Sequence, residues 1–221
     1  MKRSLLFLLV VAGFCIIFTA GPSSALTFNL NAIITGSSPQ PSGSPAWLTA
    51  EFTDNLSNSD QVLLRLSATG LTPKSGQFVS YWLFNVEFAG DYEVKPIYSQ
   101  IALISQSPDG VGGNNGNGNN NGIISGFDLG FYFNTNEADR FSAGAVLDFV
   151  ISGVGIDAVD FDQTNSQGYY TAAHVQGITG GLSGVITSGG SSQPVPEPTT
   201  MLLLGIGLTG LAFFGRKRFL K

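Results

Sequence analysis

Three aspartates fall within six residues, Asp157, Asp160 and Asp162 in GIDAVDFDQTN. Closely spaced oxygen-only ligands suit calcium. On a strand, Asp160 and Asp162 share one face around Phe161, and Asn165 joins them from the following turn. The spacing is not that of an EF-hand, which alternates ligands through a twelve-residue loop closed by a glutamate. The plainer alternative is an exposed strand edge kept from aggregating by its charge. Glu87, Asp91 and Glu93 make a second, looser cluster.

His174, in YYTAAHVQGI, is the only histidine. As a general base it needs a nucleophile beside it. Ser152 and Thr171 are candidates, but no nucleophile-elbow motif frames either. The reading preferred here is a structural histidine bonded to backbone or to a neighbouring aspartate. Zinc is excluded by arithmetic: one histidine and a single cysteine, Cys15, cannot make a usual zinc site. A glycosidase needs two carboxylates across a cleft, and with fifteen acids the sequence cannot choose a pair. Sugar binding by stacking would draw on Trp47, Tyr81, Tyr92, Tyr98, Tyr132, Tyr169 and Tyr170, although aromatics in strands are mostly core.

The elements carrying these residues read as short strands. In YWLFNVEF, Trp82, Phe84, Val86 and Phe88 face one way and Tyr81, Leu83, Asn85 and Glu87 the other. FDLGFYF sets Phe127, Leu129, Phe131 and Phe133 opposite Asp128. VLDFVIS sets Leu147, Phe149 and Ile151 opposite Asp148, and QVLLRLSA sets Val62, Leu64 and Leu66 opposite Gln61 and Arg65. Residues 27–35, 47–53, 158–162, 169–175 and 182–187 complete the set, with Gly, Pro, Asn and Ser clustered between. The expected fold is all-β, a β-sandwich or jelly roll of roughly 8–10 antiparallel strands. Residues 109–122 (DGVGGNNGNGNNNG) form a low-complexity loop, and 188–194 a Gly/Ser linker that follows the domain at 26–187.

Both ends read as processing signals. Lys2 and Arg3, the apolar run from Leu5 to Phe18, and the small residues Ser23, Ser24 and Ala25 make a signal peptide over 1–25, cut by signal peptidase after Ala25. Cys15 leaves with it, so the exported domain is held by its core or by metal, without disulfides. At the other end, Val195-Pro196-Glu197-Pro198 opens an apolar helix over 199–215, and Arg216, Lys217 and Arg218 stop it. Basic flanks stay on the cytoplasmic side, so everything between the two charged ends is exported. At 1.5 Å per residue the helix is short for a ~30 Å hydrocarbon layer, and Gly205, Gly207 and Gly210 loosen it. It therefore reads as a temporary membrane hold. From Glu51 to Glu197 the chain keeps four basic residues against fifteen acids, a balance of −11. That excludes nucleic acid as a partner through charge.

The tail resembles the PEP-CTERM sorting signal. The resemblance rests on Val195-Pro196-Glu197-Pro198, the glycine-containing apolar run, Arg216-Lys217-Arg218 and their place at the C-terminal end, with a signal peptide at the other. It implies an exosortase-type membrane protease or transpeptidase as partner, cutting at or near the motif. It also implies the cell surface or extracellular polysaccharide (biofilm) matrix of a Gram-negative bacterium as the setting. SPAWLTAEFTD, YWLFNVEF and YYTAAHVQGI are similar to central domains of such proteins, which implies no chemistry. The expected function is a non-enzymatic, exported surface or matrix protein without cofactor, calcium apart. The alternative is a carbohydrate-binding or carbohydrate-acting β-sandwich.

Overall fold

The structure is a computed structural model of the 221-residue chain. It describes residues 24–36, 45–55, 57–72, 76–97, 103–107, 126–178, 181–188 and 193–194. The expected signal peptide to residue 23, the expected 109–122 loop, residues 189–192 of the expected linker and the tail 195–221, where an apolar helix is expected, lie outside the described residues.

The strands are β1 (Ala25–Gly36), β2 (Leu48–Asp54), β3 (Gln61–Ser67), β4 (Phe78–Phe84), β5 (Glu93–Pro96) and β6 (Leu103–Ser107). They continue as β7 (Leu129–Phe133), β8 (Phe141–Ser142), β9 (Val146–Ser152), β10 (Thr171–Ile178), β11 (Leu182–Ser188) and β12 (Gln193–Pro194). Among the described residues the one helical element is a 3-10 turn, Ala158–Phe161. Hydrogen bonds run in the order β5-β9-β3-β2-β1-β11-β10-β4-β7-β6, with β12 on β1 and β8 on β4. The pairings are antiparallel throughout.

The expected all-β, antiparallel class is what the chain adopts, but as one continuous sheet. Its shape follows from chain reach. β5 and β6 stand at opposite ends of the order. Laid flat at ~4.8 Å per strand, the ends would lie about 43 Å apart. Seven Cα steps separate Pro96 from Leu103, and they span at most about 25 Å. The sheet must therefore curl until its halves face each other. Ring contacts confirm it: Phe131 of β7 and Phe149 of β9 lie 4.8 Å apart, and Phe52 of β2 and Phe84 of β4 5.1 Å.

The inner faces are those of the period-two patterns. Val62, Leu64 and Leu66 of β3 are buried, as are Leu147, Phe149 and Ile151 of β9 and Leu48, Ala50 and Phe52 of β2. Each fully buried Val, Leu, Ile or Phe side chain stabilises by about 1.5–3 kcal/mol. On the outer face the register sets Arg65 opposite Asp148, and the two form a fork of 2.7 and 3.3 Å. Exposed as it is, that pair contributes at most about 1 kcal/mol.

Four segments differ from the sequence reading. Ala158–Asp162 is not a strand, because Asp157 and Asp160 close a capping box around the 3-10 turn. The run YWLFNVEF leaves the sheet after Phe84. There the buried Asn85 side chain donates to the carbonyls of Gln163, Tyr169 and Tyr170. Phe127 does not share the face of Leu129, Phe131 and Phe133. The Asp128 N–H donates to Phe84 O and its carboxylate accepts from Val86 N, which turns the chain. Phe127 thus joins Leu83, Ala172 and Val185 in a small second cluster. The strand expected from Tyr169 begins at Thr171, since the Asn165 carboxamide oxygen accepts from Gln167 N and Tyr169 N and holds a turn there.

Candidate functional site

The aspartate cluster is built around the 3-10 turn. Asp157 Oδ1 accepts from Val159 N at 3.0 Å, and Asp157 N donates to Asp160 Oδ2 at 3.0 Å. Asp54, at the end of β2, reaches in: its Oδ1 accepts from Ala158 N and its Oδ2 from Ser24 N, both at 2.7 Å. Three carboxylates thus serve as caps for backbone N–H groups at the start of a turn. Burial pushes the Asp160 carboxyl up; the bond from Asp157 N opposes this, and the charges of Asp157, Glu87 and Asp54 add to it.

Asp162 sits at the far end of the turn, as its C-cap. The expectation that Asp160 and Asp162 share a strand face therefore fails with the strand, and the Asn165 oxygen is committed to its own turn. Among the described residues no group of three or more His, Cys, Asp or Glu is arranged to hold a metal ion. Of the second acidic cluster, Glu93 is paired with Lys95 on the β5 edge at 2.7 Å.

His174 has a different partner from either one expected. Its Nδ1 lies 2.8 Å from Ser80 Oγ, and its ring stacks on Tyr81 at 5.2 Å and 18°. Ser80 is the extra residue of a β-bulge, since His174 faces Tyr81 while Val175 faces Val79. Burial lowers the His174 pKa. Thr171 is spent elsewhere: its Oγ1 accepts from Trp82 Nε1 at 2.8 Å and donates to Leu83 O at 2.7 Å. Ser152 lies on β9, between Gln61 and Glu93. Sequence reasoning missed Ser80, although the adjacent apolar pair Phe78-Val79, both buried, breaks the two-residue period where a bulge would.

Of the aromatics named for sugar stacking, Trp47 is buried and the other five described are half-buried. Tyr170 packs on Phe28 at 5.8 Å, and Tyr92 packs on Phe88. Tyr81 turns a ring face to His174 and lies 6.3 Å from Tyr132. Of the six described, none is fully exposed, and Tyr98 lies outside the described residues.

The processing ends come together on β1. Ala25, the expected cleavage point, is the first residue of that strand, opposite Thr53 of β2. Ser24 exchanges bonds with Asp54, donating to its carboxylate and accepting from its N–H at 3.1 Å. On the other side of β1, Leu26 faces Pro194 and Thr27 faces Gln193. The residue that follows Ala25 therefore lies beside the residue that precedes Val195. Gln193 and Pro194, read in the sequence as linker, are thus a strand. The chain divides into the unit Ser24–Val195 and a second made of Met1–Ser23 and Pro196–Lys221, which lies outside the described residues. None of the described residues forms a helix long and apolar enough to cross a membrane.

No curated protein and no solved structure matches the chain. The family model of the PEP-CTERM protein-sorting motif does, over residues 194–218. Those residues take in Val195-Pro196-Glu197-Pro198 and Arg216-Lys217-Arg218, so the chain carries a PEP-CTERM sorting signal, which marks it for export and for processing by an exosortase at the membrane.

Proposed function

We propose that this is a non-enzymatic protein of the cell surface or extracellular polysaccharide matrix. It is released from a transient membrane hold by cleavage at or near Val195-Pro196-Glu197-Pro198. The observation that carries the reading is the sorting motif beginning where β12 leaves the domain. A balance of fourteen acids to four bases outside the two signals keeps such a domain soluble among polyanions. The non-enzymatic half of the reading is supported by the engagement of the polar groups expected to do chemistry. Asp157 and Asp160 cap a turn, and the Thr171 hydroxyl is bonded to Trp82 and to the Leu83 carbonyl.

Intact-mass measurement on protein recovered from cells and from medium tests the sorting. The expected species begins at Leu26 and ends near Val195; a chain running to Lys221 in the membrane fraction refutes it. Co-sedimentation with exopolysaccharide of the producing cells tests the matrix assignment, and recovery of all the processed protein in the soluble phase refutes that half.

A further inference from the structure

Cations are scarce in this domain, and their partners differ. Among the described residues Arg65 pairs with Asp148 and Lys95 with Glu93. Arg140 makes no ion pair with any of them, although Glu137 and Asp139 stand close by in the chain. Its guanidinium lies over the Phe78 ring instead, with Cζ 4.6 Å from the centroid, and its Nε is buried without a hydrogen-bond partner. A half-buried charge left without a counter-ion costs stability. Where acids are this plentiful, a cation kept bare points to an anion that comes from outside.

The register shows what surrounds it. Val79 of β4 enters the main core and faces Phe141 of β8 and Val175 of β10, which enter the same core. In the next row Phe78 faces Ser142 and Gln176, so by alternation these three turn to the outer face of the sheet. Beyond the bulge, Tyr81 and His174 are paired on that face too, since Tyr81 packs against the outer cluster of Leu83, Ala172 and Val185. Tyr132 of β7 is the next partner of Tyr81. None of these paired positions carries a carboxylate. The His174 ring gives Nδ1 to Ser80, while its Nε2 makes no bond within the described residues.

One fixed cation therefore stands beside neutral donors and two tyrosine rings 6.3 Å apart. A sugar that carries a carboxylate matches that set. A guanidinium flattened on a ring presents its fork to a carboxylate, an amide and an imidazole bond hydroxyls, and aromatic edges pack against the sugar ring. Deepening the matrix reading above, we propose that the outer face of β8, β4 and β10 binds a uronate residue of acidic polysaccharide, with Arg140 on its carboxylate. The acids elsewhere on the domain repel the rest of such a chain, so the grip is confined to this place.

The test is calorimetric titration of the protein, as purified from its producing cells, with a short oligogalacturonate in calcium-free buffer. The same oligosaccharide with its carboxyls reduced to alcohols is the comparison. Wild type is expected to bind the acid form at least about tenfold more tightly, the worth of one charge-assisted bond. Arg140→Met, which keeps the packing on Phe78, should lose that preference. Gln176→Glu, which sets a carboxylate on the other side of Phe78, should lose it as well and guards against a folding defect at position 140. Arg65→Met removes the same charge elsewhere and should bind as wild type does. Equal binding of the two oligosaccharides, no binding of either, an unchanged preference in Arg140→Met or Gln176→Glu, or an equal loss in Arg65→Met each overturns the proposal. Those results leave the sorting and matrix readings standing, because intact mass and co-sedimentation test them separately.

Discussion

Replacing Asn85 with alanine tests whether one buried side chain holds the loop 163–170 onto the end of β4. Asn85 is 2% exposed, and its Nδ2 lies 3.2, 2.9 and 3.1 Å from the carbonyls of Gln163, Tyr169 and Tyr170. Two N–H groups make two full bonds, each worth about 1 kcal/mol net. The Tyr169 carbonyl keeps a second donor, Asn165 N at 2.9 Å. The other carbonyls lose theirs, and leaving a buried acceptor bare costs about 1–3 kcal/mol. The sum is about 3 kcal/mol. For a domain of this size that lowers Tm by about 6–12 °C, at 2–4 °C per kcal/mol. Circular dichroism melting of the processed protein reads it directly. Asn85→Asp should be worse than alanine, because it turns a carboxylate on the same carbonyls. A fall of less than about 3 °C for Asn85→Ala would refute the reasoning, since the loop would then be held by its apolar contacts alone.

Gly177 has φ +71° at the β10–β11 irregularity, with the Gly76 carbonyl 2.5 Å from where a Cβ would stand. Gly177→Ala should cost at least about 1–2 kcal/mol in denaturant melts, and a neutral result would refute the clash. Asp160→Asn keeps an acceptor for Asp157 N and removes a charge that burial and the neighbouring acids disfavour, so it should raise Tm at neutral pH; a fall would show the charge is needed. The folded state binds the His174 proton less tightly than the unfolded state does. This stability is therefore present above the ordinary value of about 6.5 and is lost as pH falls from there through the lowered folded value. His174→Gln should flatten that part of the stability–pH curve, and an unchanged slope refutes the assignment. With the Asp157 and Asp160 oxygens already bonded to backbone N–H groups, melting in calcium and in chelator should coincide; a calcium-dependent rise of several degrees would restore the metal reading.

The strands that could be read from the sequence are those buried on one side only. Val62, Leu64 and Leu66 alternate with Gln61 and Arg65, so period and face are explicit. β4 resists the same reading because both its faces meet apolar neighbours. Trp82 and Phe84 enter the main core and Leu83 the second cluster, and a bulge at Ser80 shifts the phase between. Ala158–Phe161 failed for another reason. Aspartates three apart that cap a turn look, in sequence, like a polar face of a strand, and Asp54, which completes the caps, lies far away along the chain. The sorting signal was legible because a processing enzyme reads it as contiguous chain. Its seating beside Leu26 was not, because a two-residue strand has no period and its partner lies at the other end of the domain.

That seating bears on how a domain without disulfides tolerates attachment at both ends. The outer strands of the sheet are poor places to pull or to pair. β5 is short, ends in Pro96 and carries a Glu93–Lys95 ion pair, which blunts it as an edge. β1 stands in the middle of the order, with β2 on one side and β11 and β12 on the other. Leu26 and Pro194 face each other at this interior strand.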